Sequence, residues 1–258
     1  MACILHIETS TNVSSVALSK DGFLLYEKED HGDGKGSNAA EKLGGFVDEA
    51  LGKLQSPQGL DDGHPMKLDA VSVSSGPGSY TGLRIGVSMA KGVCYGGDAK
   101  LISVPTLELL CVPVLLSDRI RCSTWVEGVG ENITEELTDD ALLCPMIDAR
   151  RMEVFAAIYD RSLKVVRDAQ ADVVDADVYR EYLDRHKVYF FGNGAMKCRE
   201  VINHPNARYI DNVEPLAKYM LPIADKRFRD GQTEDVAYFV PDYLKEYQAK
   251  KPKDLLKQ

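Results

Sequence analysis

The stretch that decides the fold is SSGPGSYTGLRIG, residues 74–86. A β-prone run, residues 70–73, leads into it, and a run with helical spacing follows it as far as Tyr95. The order strand, Gly-Pro-Gly turn, helix makes backbone N–H groups converge, which favours an anion site. The alternative is that Gly76 and Gly78 only permit a tight turn. The stretch is neither a P-loop, since no Gly-Lys-Ser/Thr follows, nor a dinucleotide fingerprint, since its third glycine is wrongly spaced.

The predicted helix carries small residues at every fourth position, namely Gly82, Gly86 and Ala90. Residues four apart share a helix face, so this stripe lets another backbone approach closely. Glycine inside a helix costs about 1 kcal/mol relative to alanine, so some close contact should compensate. That contact is either the chain's own sheet or another subunit. Arg84 and Lys91 flank the helix and suit either an anion or a partner.

Upstream of this helix, three β-prone segments separated by turns predict an antiparallel meander, in which Asp21-Gly22 is typical of a hairpin. A helix from Asn38 to Leu54 follows, with apolar residues on one face. These segments predict an α/β first half of the chain.

The second half echoes the first in shortened form. Ile7-Glu8 is followed ten residues later by Ala17-Leu18, and Ile147-Asp148 is followed ten residues later by Ala157-Ile158. Each pair begins a strand–turn–strand unit, so residues 104–258 are predicted to form a smaller second lobe of similar build.

Charge and cysteine content limit the classes of function. The net charge of −9, from 40 acids and 31 bases, argues against a stand-alone nucleic-acid binder but leaves open tRNA held by a partner. Residues 127–140 hold six acids and no base, which indicates a solvated surface insertion, whereas residues 245–258 form a basic tail with five lysines and two acids. Six cysteines without a C-x-x-C pair indicate free thiols in a cytoplasmic protein. Neither a signal peptide nor a membrane span is expected.

Several motifs together resemble the TsaB family, also called YeaZ, within the actin, heat-shock and sugar-kinase superfamily. The central segment carries most of the likeness, and four other segments support it: residues 7–10, 147–155, 192–195 and 241–245. The resemblance covers nearly the whole chain except residues 119–143 and the first glycine-rich loop. It implies a two-lobed actin-like ATPase (ribonuclease H-like) fold with mixed sheets flanked by helices, the second lobe being abbreviated. The first lobe, about residues 1–103, would be a five-stranded mixed sheet with helices on both faces, and it would also be the dimerisation unit.

The same resemblance implies a scaffold role in making N6-threonylcarbamoyladenosine at position 37 of tRNAs that read ANN codons. The implied partners are a larger, homologous catalytic subunit of the TsaD type and a small ATPase of the TsaE type. The chain would meet tRNA only within that complex, and the isolated chain could form a homodimer. The expected partner interface comprises Gly76, Pro77, Gly78, Ser79, Tyr80, Thr81, Gly82, Arg84, Gly86 and Ala90.

The residues themselves indicate which member of such a pair this chain resembles. The catalytic relative binds its metal with two histidines one helical turn apart, and the corresponding positions here hold Thr106 and Leu110. No histidine lies within four residues of another, so no metal or cofactor is expected. Glu8, Thr9, Ser10 and Asp148 are weak nucleotide or magnesium candidates, whose alternative role is to cap turns.

Two other functions stay open at this point. One is an active ATP-dependent phosphotransferase or ATPase of the same fold, and the other is a homodimeric regulatory module unrelated to tRNA. Peptidase activity is not expected, because the sequence contains neither His-Glu-x-x-His nor Gly-x-Ser-x-Gly.

Overall fold

A computed structural model describes residues 2–32, 38–54, 60–61, 64–126 and 128–245. The strands are β1 Cys3–Glu8, β2 Ser14–Lys20, β3 Phe23–Asp30, β4 Leu60–Asp61, β5 His64–Pro65, β6 Ala70–Gly76, β7 Lys100–Pro105, β8 Ile120–Val126, β9 Val129–Glu135, β10 Leu142–Asp148, β11 Glu153–Tyr159, β12 Val165–Val173, β13 Val188–Phe191 and β14 Ala207–Ile210. The α-helices are α1 Ala39–Leu54, α2 Tyr80–Gly97, α3 Thr106–Leu115, α4 Arg180–Leu183 and α5 Leu221–Arg229.

The first sheet has five strands in the order β3-β2-β1-β6-β7. The predicted meander β1–β3 is antiparallel, and β6 and β7 run parallel to β1. Asp21 and Gly22 form the tight turn between β2 and β3, with φ of 53° and 79°. The sheet packs its apolar residues against α1 and α2 on one face and against α5 on the other. The five-stranded mixed sheet and its two covered faces are confirmed.

The second sheet repeats this topology and then extends it. Strands β12-β11-β10-β13-β14 stand in the same relative order as β3-β2-β1-β6-β7, with an antiparallel meander followed by two parallel strands. Helix α3 packs Leu107, Leu110 and Val114 against one face of the second sheet, and α4 packs against the opposite face. Two copies of one topology constitute the two-lobed actin-like fold, as expected.

The described part of the acidic segment, residues 128–140, is largely exposed and includes a strand. Strand β9 pairs with β8, and this hairpin is added beside β14 at the edge of the second sheet. The Glu135 carboxylate accepts hydrogen bonds from Arg208 at 2.9 Å, Lys187 at 2.6 Å and the Tyr189 hydroxyl at 2.6 Å. These partners lie far away in sequence, so acid content alone could not reveal that one acid of the segment is an internal anchor.

The C-terminal part of the chain returns to the first sheet. A 3-10 turn, Ala217–Met220, and α5 pack on β1, β2 and β7, and Glu234 then donates its N–H to the Leu101 carbonyl at 2.8 Å. Residues 234–245, here called the C-terminal strap, continue across α2 toward the end of β6. The division of the chain after residue 103 stays a prediction, and any boundary must accommodate this return.

Candidate functional site

The small-residue stripe of α2 lies against the turn that follows β1. A Cβ atom on Gly82 would stand 2.0 Å from the Thr9 carbonyl oxygen, and one on Gly86 would stand 2.2 Å from Thr9 Oγ1. A Cβ on Gly78 would stand 2.4 Å from the carbonyl oxygen of Ser10. The Thr9 hydroxyl also donates to the Gly82 carbonyl at 2.8 Å. The glycines therefore admit this chain's own backbone.

Of the two contacts that the sequence left open for the stripe, this geometry favours packing within the chain. Gly82, Gly86 and Ala90 are buried, and Ala90 belongs to the core of the first lobe. Gly76, with φ of 105°, is covered by the Asp242 carbonyl, which would stand 2.5 Å from a Cβ there. Close approach was foreseen, but the approaching groups belong to the same molecule. These residues are packed within this chain, and their place in a partner interface stays a prediction.

Two N–H groups at the Gly-Pro-Gly turn bond to the chain itself and are therefore not available to an anion. The Ser79 N–H donates to the Ser10 carbonyl at 2.6 Å, and the Gly82 N–H donates to Ser79 Oγ at 3.2 Å. Ser79 is thus the N-cap of α2. Pro77 is buried in the same turn. The tight strand-to-helix turn is the interpretation that the structure favours.

The outer face of α2 remains accessible and borders an open groove of about 750 Å³ between α2 and α1. Thr81 and Arg84 are exposed, and Tyr80 is half-buried. Further along the helix, Tyr95 is 90% exposed. The groove is lined by Ala40, Tyr80, Thr81, Arg84, Ile85, Ser88, Met89, Gly92 and Val93. A surface that combines aliphatic, aromatic and arginine side chains is typical of protein interfaces.

The C-terminal strap adds an aromatic edge to this groove, which the sequence did not reveal. The ring of Tyr243 lies 4.8 Å from that of Tyr80. The Arg84 guanidinium lies over the Tyr80 ring, 5.3 Å from its centroid, and donates a hydrogen bond to the Tyr80 hydroxyl at 3.3 Å. The strap is fastened by the Asp242 N–H, which donates to the Ser75 carbonyl at 2.7 Å, and by Lys91, which donates to the Ala237 carbonyl at 3.0 Å.

Glu8, Thr9 and Ser10 form a fully buried turn rather than an open nucleotide cradle. Glu8 Oε1 accepts the N–H of Ser10 at 2.5 Å. Burial raises the pKa of Glu8 from 4.5 to about 7, opposed by hydrogen bonds from Ser10, Ser74 and Thr9. Glu8 Oε2 is buried and has no hydrogen-bond partner among the described residues. A carboxyl in this state is suited to being protonated in the interior and poorly suited to holding a cation.

Asp148 is used by its own hairpin. Its Oδ1 accepts the N–H of Arg150 at 2.9 Å and also bonds to the Lys197 ammonium. Lys197 directs two further bonds, each of 2.7 Å, to the carbonyls of Arg151 and Glu153. A lysine thus supplies the positive charge that a metal would bring to this carboxylate. Hairpin capping, rather than magnesium binding, is the role that these contacts support for Asp148.

The two positions that the resemblance matches to metal ligands do not fit a metal here. Thr106 and Leu110 lie one turn apart on α3 and are both buried, Leu110 within the apolar core of the second lobe. A hydroxyl and an alkyl group cannot replace two imidazoles. His6 is held between the hydroxyls of Ser72 and Ser19, and burial lowers its pKa to about 3. Among the described residues, no three His, Cys, Asp or Glu side chains are grouped as a metal site.

A small cleft lies between the two sheets where Thr11, Asn12 and Asn193 meet Leu110 and Glu214. Its volume is about 220 Å³. Pockets for drug-sized ligands are larger, about 300–1,000 Å³.

In the described part of the chain, no helix is both long and apolar enough to cross a membrane.

Comparisons with known proteins agree with one another. A sequence profile for the family described as TsaD, tRNA N6-adenosine threonylcarbamoyltransferase, matches residues 37–124. The tRNA threonylcarbamoyladenosine biosynthesis protein TsaB of Escherichia coli is 26% identical over 253 residues, with 94% of each chain covered. TsaB of Bacillus subtilis is 24% identical over 252 residues, covering 94% of this chain and 93% of its own.

Solved structures give the same fold. A Pseudomonas aeruginosa protein described as similar to peptidase YeaZ superposes with a TM-score of 0.73 at 20% identity, covering 95% of this chain and all of its own. YeaZ from Pseudomonas aeruginosa superposes with a TM-score of 0.66 at the same identity and coverage.

Fold and site together define an actin-like, two-lobed protein with an open groove beside the outer face of α2. Sequence relatives that span nearly the whole chain narrow this class further. By sequence and by fold, this chain is similar over nearly its whole length to TsaB proteins, also called YeaZ.

Proposed function

We propose that this protein is the non-catalytic scaffold subunit for N6-threonylcarbamoylation of adenosine 37 in tRNAs that read ANN codons. The relatives' names support a role in tRNA threonylcarbamoyladenosine biosynthesis. The observation that carries the scaffold assignment is that Thr106 and Leu110, which the resemblance matches to metal ligands, lie buried in a packed helix and cannot bind a metal. This modification of tRNA is proposed to take place in the cytoplasm.

The proposed action is heterodimerisation with a TsaD-type catalytic subunit through the groove between α1 and α2. The profile that matches residues 37–124 covers both helices, so a TsaD-type partner carries a homologous pair. Two related helix pairs can meet about a pseudo-twofold axis, as identical patches do in a symmetric dimer. The same logic makes a homodimer of the isolated chain possible. A stable contact needs about 1,200 Å² or more in total.

The surface contributed by this chain is proposed to centre on Tyr80, Thr81 and Arg84, bordered by Tyr243 of the C-terminal strap. Tyrosine and arginine are over-represented among the residues that dominate binding energy. The buried stripe beneath, Gly82 and Gly86, keeps α2 seated on Thr9 and so sets the height of this surface. A TsaE-type ATPase is proposed to join the assembled pair and not this chain alone.

Coexpression followed by a modification assay tests the proposal. The chain should copurify with a TsaD-type subunit as a heterodimer on size exclusion. With the TsaE-type ATPase and threonylcarbamoyl-adenylate, that pair should modify tRNA, and omission of this chain should abolish the reaction. Equal modification without this chain would refute the scaffold role. Turnover of magnesium-ATP by the purified chain alone would instead favour an ATPase.

A further inference from the structure

The hairpin between β10 and β11 turns on two arginines in a backbone conformation that arginine disfavours. Arg150 and Arg151 have φ of 74° and 51°. Residues in this left-handed region are ordinarily Gly, Asn or Asp. The β2–β3 hairpin of the same chain has two consecutive left-handed residues as well, and there they are Asp21 and Gly22. A backbone outlier of this kind is a reason to look for a function of the side chains.

The turn is held from behind by groups other than the arginine side chains. The Asp148 carboxylate accepts the Arg150 N–H at 2.9 Å, and Lys197 donates to the Arg151 carbonyl at 2.7 Å. The Ala149 N–H donates to the Glu153 carbonyl at 3.0 Å. The backbone is therefore fixed whether or not the guanidinium groups are present.

Both arginines are exposed, and the acids nearest to them are already paired. Asp148 forms an ion pair with Lys197, and Glu153 forms one with Lys245. Within the described ranges of the chain, neither Arg150 nor Arg151 forms an ion pair. This turn therefore presents positive charge on a chain whose net charge is −9.

A series of contacts joins the turn to the proposed partner surface. Lys245, which pairs with Glu153 next to the turn, lies two residues beyond Tyr243. Tyr243 in turn contacts Tyr80 at the start of α2. The arginine turn and the α2 groove are thus linked through the C-terminal strap, so a large ligand held by a partner on α2 is brought near the turn.

We propose that Arg150 and Arg151 contact the phosphate backbone of tRNA when this chain is assembled with its catalytic partner. The inference rests on the proposed function and adds to it the RNA contact made by this subunit. Arginine suits phosphate because its guanidinium is permanently charged and donates two parallel hydrogen bonds. The acidic remainder of the chain keeps binding weak outside the complex, since affinity for RNA follows the number of phosphates neutralised.

The test is a double substitution that suits the turn better than the native residues do. Arg150→Asn with Arg151→Gly should fold, with an unchanged or higher melting temperature. Affinity of the purified heterodimer for an in vitro transcript of a tRNA reading an ANN codon is then measured against KCl concentration. We expect the double variant to bind about tenfold more weakly or worse, with a log–log salt slope lower by roughly 1.4–1.8 for two lost phosphate contacts.

Two control variants separate this contact from a general effect of charge. Arg119→Gln with Arg121→Gln removes the same charge from exposed positions at or beside β8, which β13 and β14 separate from β10. This control should bind as the wild type does. Arg150→Lys with Arg151→Lys keeps the charge and should keep the salt slope.

The outcomes distinguish this inference from the proposed function. Unchanged affinity and slope in an intact heterodimer would overturn the phosphate contact and leave the scaffold role standing. Loss of heterodimer formation in the Asn/Gly variant would also overturn it, because the arginines would then serve a protein partner. If the wild-type chain forms no complex with the large subunit, the scaffold role itself fails, and the inference with it.

Discussion

Alanine substitutions at three glycines of α2 should change stability in opposite directions. Gly82→Ala places a Cβ 2.0 Å from the Thr9 carbonyl oxygen, a backbone atom that cannot rotate away. Gly86→Ala places one 2.2 Å from Thr9 Oγ1, which can rotate if its hydrogen bond to the Gly82 carbonyl breaks. Gly92→Ala meets no atom within 4 Å and is the matched control.

The magnitudes follow from these contacts. Alanine gains about 1 kcal/mol over glycine inside a helix, so Gly92→Ala should stabilise by about 0.5–1 kcal/mol. Overpacking costs about 1–3 kcal/mol, and the rigid contact at Gly82 lies at the upper end, for a net loss of about 2 kcal/mol. At Gly86 the loss of one hydrogen bond, about 1 kcal/mol, nearly offsets the helix gain, and residual crowding leaves a loss of up to about 1 kcal/mol.

Thermal melts of the three purified variants give the assay, at roughly 2–4 °C per kcal/mol for a chain of this size. From highest to lowest, the melting temperatures should follow the order Gly92→Ala, wild type, Gly86→Ala, Gly82→Ala. In a Thr9→Ala background, Gly86→Ala should cease to destabilise, because the nearest remaining atom, Thr9 Cβ, lies 3.4 Å from the new Cβ. A Gly82→Ala protein that melts at or above the wild type would refute the packing of α2 on the Glu8–Ser10 turn.

Three further predictions concern the carboxyl, the strap and the hairpin. Glu8 is protonated in the folded state up to about pH 7 but loses its proton in the unfolded chain near 4.5, so wild-type stability should fall as pH rises through that interval. Glu8→Gln should remove this fall, and melting curves between pH 4.5 and 8 that stay parallel for the two proteins would contradict it. Tyr243→Ala should weaken pairing with the large subunit about tenfold while barely changing the melting temperature, because the substitution removes one exposed edge of the Tyr80 stack. Titration calorimetry measures the affinity of the pair, and an unaltered affinity would exclude the strap from the interface. Lys197→Met should lower the free energy of unfolding by about 1–2 kcal/mol, because Asp148 and two carbonyls lose their common hydrogen-bond donor. Denaturant titration measures this change, and an unchanged midpoint would show that the hairpin is stable without Lys197.

Turn chemistry made much of this fold predictable from the sequence. Asp21-Gly22 placed the first hairpin, and the Gly-Pro-Gly stretch placed the strand-to-helix junction at α2. The β8–β9 hairpin was missed because the residues that neutralise Glu135 lie 52 and 73 positions away. Pairings across such separations are set by the assembled sheet and leave no local pattern.

Candidate site residues were harder to assign, because residue type indicates that a close contact is needed but does not show which molecule provides it. The glycine stripe indicates that a neighbour must approach closely, and Thr9 of the same chain is that neighbour. Once the inner face of α2 is occupied in this way, only its outer face is available to a partner, where Thr81 and Arg84 lie. Internal packing and external binding are thus properties of opposite faces of one helix. A bulky residue on the inner face should therefore impair pairing only through unfolding, whereas one on the outer face should impair pairing in a folded protein.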